Sequence, residues 1–201
     1  MIQYRNTDPS GVDRPCWTTA GGGMEAGETI ADTALREIRE ETGISAVSLG
    51  PLVWYGEDSI RSGDWGVTFK EHFIVAHSKT EDISKDGWTE HEHQQILDMR
   101  WWSIQEIGES CDLIYPIGLH DLLTPILAGE YPTELRIISA PLVEHPGRLK
   151  CDATPTGPPV PFPLHSDMCR SVLKSRKQPV ALADCADCGH RTVVNFRYLI
   201  H

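Results

Sequence analysis

Three glutamates in one short stretch have the residue type and the spacing to bind a divalent cation. Glu37, Glu40 and Glu41 lie in a segment whose apolar residues recur at helical spacing. On a helix, Glu37 and Glu41 lie one turn apart and Glu40 flanks them, so the three carboxylates share one side. Like charges at this spacing repel each other, and a hard cation such as Mg²⁺, which prefers oxygen ligands, would remove the repulsion.

The elements around these glutamates must bring a backbone segment close to the helix. Four of the seven residues from 21 to 27 are glycine, which predicts a loop rather than a regular element. The helix is predicted to begin at Glu28 or Thr29, to run for about four turns and to end at Gly43. Arg36 is expected to pair with Glu28 and hold the loop against the helix. Three glutamates alone would indicate a solvated acidic face, but the loop and the arginine favour a metal site.

The stretch from Gly22 to Ile44 resembles the Nudix box at each of its defining positions. In chain order, the matching residues are Gly22, Glu28, Arg36, Glu37, Ile38, Glu40, Glu41, Gly43 and Ile44. The resemblance covers residues 1–138 and implies a Mg²⁺-dependent hydrolase, which cleaves the pyrophosphate bond of a nucleoside diphosphate linked to another group. It also implies an α/β fold, the Nudix-type α/β/α sandwich with a mixed sheet.

The same resemblance assigns roles to the residues of the box. Glu37, Glu40, Glu41 and the backbone carbonyl of Gly21 are expected to bind Mg²⁺, with Mn²⁺ as a substitute. The same three glutamates are the expected catalytic residues. Glu28 and Arg36 are expected to support the catalytic helix structurally.

Further site residues are predicted outside the box. The resemblance implies a further glutamate downstream of the box, as an added metal ligand or as the base that activates water. Glu92 is the preferred candidate, ahead of Glu71 and Glu90, because it lies in a polar segment shortly before two tryptophans. The residues predicted to bind substrate, through phosphate contacts or ring stacking, are Arg61, Arg100 and Trp102.

The rest of the chain gives a pattern that suits two helices against a mixed sheet. Strands are predicted at residues 46–49, 52–55, 68–76 and 99–102, helices at 104–110 and 119–127, and polar loops at 56–66 and 79–94. Pro125 is expected to bend or stop the second helix. Residues 2–5 resemble the end of a strand that is shorter than Nudix domains generally carry. Either Met1 is internal to a longer protein, which we favour, or the sheet lacks one strand and exposes an edge.

Two parts are predicted: a Nudix hydrolase domain at residues 1–140, and an irregular C-terminal tail of unknown role at 141–201, for which disorder is one expectation. The tail begins with a proline-rich linker. It also holds a Cys-x-x-Cys pair, but a structural zinc site normally has four ligands. We therefore do not expect zinc at the tail residues Cys169, Cys185, Cys188 and His190.

Composition limits the partners. The net charge of −11 argues against binding to a nucleic-acid backbone and leaves a small nucleotide as the expected substrate. No signal peptide and no long apolar run is present in the sequence, so we expect a cytoplasmic protein that does not bind membranes. A homodimer is an expected assembly. The alternatives to an enzyme are a non-catalytic nucleotide or nucleotide-sugar sensor and an inactive, N-terminally truncated fragment.

Overall fold

The structure is a computed structural model that describes residues 1–6, 13–62, 65–138, 181–185 and 190–200. Residues 58–62, 65–67, 181–185 and 190–200 are described by their backbone alone. The strands are β1 (Ile2–Tyr4), β2 (Cys16–Thr18), β3 (Ala20–Gly23), β4 (Val47–Ser62), β5 (Trp65–Ser78), β6 (Ile96–Met99), β7 (Leu113–Tyr115), β8 (Arg136–Ile137), β9 (Ala181–Cys185) and β10 (His190–Ile200). The helices are α1 (Ile30–Thr42), α2 (Glu90–Gln95), α3 (Ile104–Glu109) and α4 (Leu119–Leu127).

The strands form two mixed sheets. The smaller sheet has the order β6-β1-β2-β7, and only its β2–β7 pair is parallel. The larger sheet has the order β3-β10-β5-β4-β8, with β9 added to β10. In this sheet β10 runs parallel to β5 and β8 runs parallel to β4. Helices and mixed sheets together confirm the predicted α/β class.

Both faces of β5 are buried, which explains the layered architecture. Ile74 and Ala76 belong to the apolar cluster that includes Ile38 of α1. Phe73 and Val75 point to the other face and belong to the cluster that includes Leu119, Leu122 and Ile126 of α4. A strand that packs helices on both faces gives the α/β/α sandwich that was predicted.

Helix α1 begins and ends where its local sequence signals place it. The Thr29 side chain accepts a hydrogen bond from the Asp32 backbone, while the Asp32 carboxylate accepts one from the Thr29 backbone. Gly43 ends the helix with a φ of 74°, in the left-handed region that glycine adopts at low cost. The predicted helix is confirmed. The predicted helices at 104–110 and 119–127 are confirmed as α3 and α4, and α4 runs through Pro125.

The glycine-rich run was wrongly predicted as a loop throughout. Residues 20–23 form β3, which pairs antiparallel with β10. Glycine weakens a strand because it has no side chain to pack, so local propensity predicts a loop here. The pairing with β10 supplies hydrogen bonds that no local signal indicates.

The polar loop predicted at residues 56–66 is also wrong. Strands β4 and β5 form one long antiparallel hairpin whose pairing continues from Gly56 opposite Glu71 to Ser62 opposite Trp65. The predicted strands at 46–49 and 52–55 merge into β4, with register irregularities between Leu49 and Trp54. Cross-strand pairing thus overrides the polar composition on which the loop prediction rested.

The bounds of one predicted loop and one predicted strand also differ from the structure. Residues 79–94 are not loop throughout, since Thr89 and Glu92 form a capping box that begins α2. The strand predicted at 99–102 lies earlier, at β6, where Ile96 to Met99 pair with β1. Residues 100–102 then lead to Ser103, the N-cap of α3.

The C-terminal segment contributes two strands where an irregular tail was expected. Strand β10 lies between β3 and β5, and β9 extends the same edge. The proline-rich linker lies outside the described residues. The helices of the described ranges lack the length and apolar character needed to cross a membrane.

Candidate active site

An ion pair between Arg36 and Glu28 ties the start of α1 to its middle. Arg36 Nε lies 2.6 Å from Glu28 Oε1, and Arg36 Nη2 lies 2.9 Å from Glu28 Oε2. Both side chains are largely buried, with 13% and 17% exposed. Hydrogen bonding to Arg36 is the main cause that lowers the pKa of Glu28 from 4.5 to about 2, and hydrogen bonding to Glu28 is the main cause that raises the pKa of Arg36. This two-bond geometry is the strong, directional form of the arginine–carboxylate pair.

Further donors fix the Glu28 carboxylate from its own loop and helix. The backbone N–H of Glu25 and the hydroxyl of Thr33 both donate to Glu28 Oε2, at 2.9 Å and 2.8 Å. The carboxylate therefore joins the end of the glycine-rich segment to the first turns of α1.

Arg36 also reaches two of the predicted metal ligands. Its Nη1 lies 2.5 Å from Glu37 Oε1 and 3.2 Å from Glu40 Oε2. Its Nη2 donates to the backbone carbonyl of Gly23, at 3.0 Å. One guanidinium therefore links strand β3 and three carboxylates of the box.

Glu41 is held differently, since elements outside its own helix bind it. Glu41 is 3% exposed, and its carboxylate accepts hydrogen bonds from the Gly21 backbone N–H, at 2.6 Å, and from the Tyr4 hydroxyl, at 2.9 Å. The Trp88 indole N–H donates to the backbone carbonyl of Glu41, at 2.7 Å. Strand β1, strand β3 and the segment before α2 all meet at this one residue.

Gly22 makes room for Glu37. A Cβ at position 22 would lie 2.4 Å from the carboxyl carbon and Oε1 of Glu37. Any larger residue would therefore displace the carboxylate. The glycine thus serves a close approach between strand β3 and helix α1.

The donor set of the box fits a hard cation. Glu37, Glu40 and Glu41 supply only oxygen, and Arg36 Nη1 already lies as a positive charge between the first two. Within the described ranges, no three His, Cys, Asp or Glu side chains are arranged to hold a metal ion by themselves. Mg²⁺ commonly takes one or two carboxylates and completes its shell with water and phosphate oxygens, so an open donor set of this kind suits it.

Arg100 and Trp102, two predicted substrate residues, lie together. The Arg100 guanidinium stacks 3.7 Å from the Trp102 ring centre and pairs with Glu106 at 2.8 Å. The Trp17 ring meets Trp102 edge-on at 5.0 Å. The side chain of Arg61 lies outside the described residues.

A cavity lies beside this aromatic group. Its volume is about 110 Å³ and its lining is mainly apolar. Arg100 and Trp102 line it together with Ala20 and Thr42, which are the chain neighbours of Gly21 and Glu41. The lining includes none of the predicted metal ligands, so the cavity holds the predicted substrate residues Arg100 and Trp102 and only neighbours of Gly21 and Glu41.

The three candidates for the base have different surroundings. Glu92 is the third residue of α2, where its Oε2 accepts hydrogen bonds from the backbone N–H and hydroxyl of Thr89, at 2.6 Å and 2.7 Å. Glu71 is 2% exposed and accepts a hydrogen bond from the Tyr115 hydroxyl. Glu90 is exposed. The assignment of the base stays a prediction.

Sequence reasoning missed the residues that hold Glu41. Tyr4 lies on β1 and Trp88 lies in the segment before α2, far from the box in sequence. No spacing pattern indicates either contact. Among the tail cysteines, Cys169 and Cys188 lie outside the described residues, and Cys185 and His190 are described only as register partners on β9 and β10.

A comparison with family models identifies the class of protein. The NUDIX domain model matches residues 2–117, which is more than half of the chain. The chain belongs to the Nudix hydrolase family.

Comparisons with individual proteins give distant relatives. An uncharacterized Nudix hydrolase, orf19 of Rhodococcus erythropolis, is 30% identical over 89 residues, which are 44% of this chain and 46% of that protein. The nucleoside triphosphatase NudI of Escherichia fergusonii is 28% identical over 102 residues, 51% of this chain and 72% of that protein. NudI of an Escherichia coli strain is 35% identical over 68 residues, 34% of this chain and 48% of that protein. The chain spans about half the length of the Rhodococcus relative, and no solved structure gives a significant match.

Proposed function

We propose that this protein is a Mg²⁺-dependent hydrolase that cleaves the pyrophosphate bond of a nucleoside diphosphate linked to another group. The observation that carries the proposal is the position of Glu41. It is buried at the meeting point of three elements, beside Glu37 and Glu40 on one helix. Burying an ionised carboxylate is costly unless hydrogen bonds or a cation compensate for it. A bound Mg²⁺ would add to the two hydrogen bonds that the Glu41 carboxylate accepts.

The residues of the site divide the work between binding and positioning. Glu37, Glu40, Glu41 and the Gly21 carbonyl would hold Mg²⁺, with Mn²⁺ as a substitute. The bound ion would neutralise charge on the phosphoryl oxygens and lower the pKa of a bound water. Glu28 and Arg36 orient the helix through their ion pair. Glu92 would accept the proton of the attacking water, which requires that its carboxylate leave the bond to Thr89.

The aromatic end of the cavity suits the nucleoside part of the substrate. Trp102 would stack on the base, and Arg100 would contact the phosphates. Arg61 stays a predicted phosphate contact, since its side chain lies outside the described residues. The net charge of −11 supports a small nucleotide rather than a nucleic acid. A cytoplasmic location and a homodimer complete the proposal.

The names of the relatives suggest where to begin among substrates. NudI is named a nucleoside triphosphatase. A nucleoside triphosphate is a nucleoside diphosphate linked to phosphate and falls within the proposed class. Nucleoside triphosphates are therefore the first compounds to test, followed by nucleotide sugars and dinucleotides.

The test is the release of hydrolysis products from this panel with Mg²⁺, with Mn²⁺ and with a chelator. Triphosphates would release phosphate or pyrophosphate, whereas nucleotide sugars and dinucleotides would release nucleoside monophosphates, so the products are separated by ion-exchange chromatography. We expect release that depends on the metal and stops when the chelator is added. A folded protein that binds a nucleotide in calorimetry but releases nothing would contradict the enzyme and support the sensor.

A further inference from the structure

Strand β3 carries three backbone contacts to the glutamate site. The Gly21 N–H donates to Glu41, the absent side chain of Gly22 admits the Glu37 carboxylate, and the Gly23 carbonyl accepts from Arg36. The position of β3 therefore sets the position of the whole donor group.

This strand cannot hold its position by its own preferences. Three of its four residues are glycine, which lose much conformational freedom on folding and have no side chain to pack. A short strand of this kind depends on hydrogen bonds from a neighbour.

Among the described strands, β3 has β10 as its neighbour in the sheet. Ala20 lies opposite Tyr198, Gly21 opposite Arg197, Gly22 opposite Phe196 and Gly23 opposite Asn195. On its other side β10 is parallel to β5 over its full length, from His190 opposite Gly66 to Ile200 opposite Ala76. Helix α1 also contacts β10.

We propose that β10, from the C-terminal segment, is a positioning element of the metal site. It fills the place between β3 and β5 and holds the glycine strand in register with α1. The segment predicted to be an irregular tail thus completes the larger sheet of the Nudix domain. This inference rests on the proposed function only where it predicts an effect on turnover. The register of β3 and β10 can be measured without any activity.

The register is tested with a cross-strand disulfide. Directly opposed residues of antiparallel strands have Cα atoms about 4.5–5.5 Å apart, which lies within the range for a disulfide. The double variant Ala20→Cys with Tyr198→Cys should therefore cross-link under mild oxidation, within one chain. The matched control, Ala20→Cys with Leu199→Cys, should not, because successive residues of a strand point to opposite faces.

Peptide mass spectrometry identifies the linked pair against the background of the native thiols, and denaturing gels separate a link within one chain from a link between two. A link between Ala20 and Tyr198 positions within the monomer supports the proposal. Equal cross-linking in the control, or a link only between chains, overturns it. Neither result depends on catalysis.

The consequence for the site is tested with Phe196→Pro, which removes a backbone donor opposite Gly22. We expect this variant to bind Mn²⁺ more weakly, as measured by electron paramagnetic resonance. We also expect its turnover to fall by about 100-fold. The control is Ala183→Pro on β9, a strand that pairs with β10 but not with β3. This variant should change Mn²⁺ affinity and turnover little. Normal Mn²⁺ affinity and turnover in Phe196→Pro would overturn the proposal.

The outcomes separate this inference from the proposed reaction. Suppose that the native chain hydrolyses no nucleotide, while the cross-link forms and Phe196→Pro weakens Mn²⁺ binding. The proposed hydrolase activity is then wrong, and the positioning role of β10 is supported. If the native chain hydrolyses nucleotides and the cross-link is absent, the reaction stands and the role of β10 fails. Should Phe196→Pro not fold, the cross-link decides alone.

Discussion

Glu41 and Glu92 are both predicted to take part in chemistry, but the molecule holds them in opposite ways. Glu41 lies on the 13-residue helix α1, is 3% exposed, and accepts hydrogen bonds from strands β1 and β3. Glu92 lies on the six-residue helix α2, which has no buried residues, and its carboxylate bonds only to Thr89, the N-cap of that helix, among the hydrogen bonds that the described residues show.

The difference shows what each carboxylate can do. Glu41 is fixed by donors outside its own helix, so its position survives small movements of that helix. Such preorganisation suits a ligand that must hold a cation at a defined place. Glu92 bonds to a neighbour three residues away and can exchange that bond for another at little cost. A carboxylate that must take up a proton and release it needs this freedom.

The largest expected effect is the loss of Glu41. Glu41→Gln keeps the size of the side chain and removes its charge, so we expect turnover to fall by about 10²- to 10³-fold while the fold persists. The measurement is the rate of phosphate release at saturating Mg²⁺, with thermal unfolding as the check on the fold. Unchanged turnover would show that Glu41 is not a catalytic metal ligand.

The next effect sharpens the comparison at Glu92. Glu92→Gln removes the base but keeps an oxygen that can cap α2, whereas Thr89→Ala removes the cap and keeps the carboxylate. If Glu92 is the base, the first variant should lose about 100-fold in turnover and the second should lose about 1 kcal/mol of stability with turnover retained.

The two Glu92 results are read together. Steady-state rates and urea unfolding of both variants separate a chemical role from a capping role. Full activity in Glu92→Gln would show that this glutamate only caps the helix, and Glu71 and Glu90 would then be tested in the same way.

A third effect concerns the ion pair that orients α1. The pKa of Glu28 lies at about 2 instead of 4.5, so its ionised form stabilises the folded state by about 3 kcal/mol. This contribution is fully present above the unfolded value and disappears as the pH falls from about 5 to about 2. Glu28→Gln should therefore be less stable than the native chain by about 3 kcal/mol at pH 7.

Urea unfolding at pH 7, pH 4 and pH 3 measures this difference. We expect the gap between the native chain and Glu28→Gln to narrow steadily across this range. A gap that stays constant with pH would mean that the variant loses packing rather than an ion pair.

Helix α1 could be predicted from the sequence because its signals are local. The cap at Thr29, the glycine at position 43 and the spacing of Glu37 to Glu41 all lie within one continuous stretch. The capping box at Thr89 and Glu92 was equally local, but the acidic composition around it suggested a loop.

The contacts that position the site could not be predicted in this way. Tyr4 and Trp88 reach Glu41 across 37 and 47 residues of sequence, and β10 pairs with β3 from the other end of the chain. Periodicity and capping report on neighbours within a few residues. Pairing between distant strands depends on how the whole chain folds, so neither the strand at Ala20–Gly23 nor the burial of Glu41 has a local signal.

The smallest expected effect tests the link between the two glutamate regions. Gly43 ends α1 in the left-handed region, and a Cβ there would lie 2.8 Å from the Ser84 side chain. Ser84 N–H donates to the Thr42 carbonyl, and the segment from Ser84 leads to Trp88, which bonds to Glu41. Gly43→Ala should therefore cost about 2 kcal/mol, from backbone strain together with displacement of Ser84.

Gly129→Ala is the matched control, because Gly129 also has a positive φ of 80° but no atom within 4 Å of its missing Cβ. Strain alone should cost about 1 kcal/mol there. The difference between the two variants in thermal unfolding measures the contact with Ser84. If Gly43→Ala also lowers turnover while Gly129→Ala does not, the segment that carries Trp88 positions Glu41, and the two regions act together. Equal costs at both glycines and unchanged turnover would mean that Glu41 is held by β1 and β3 alone.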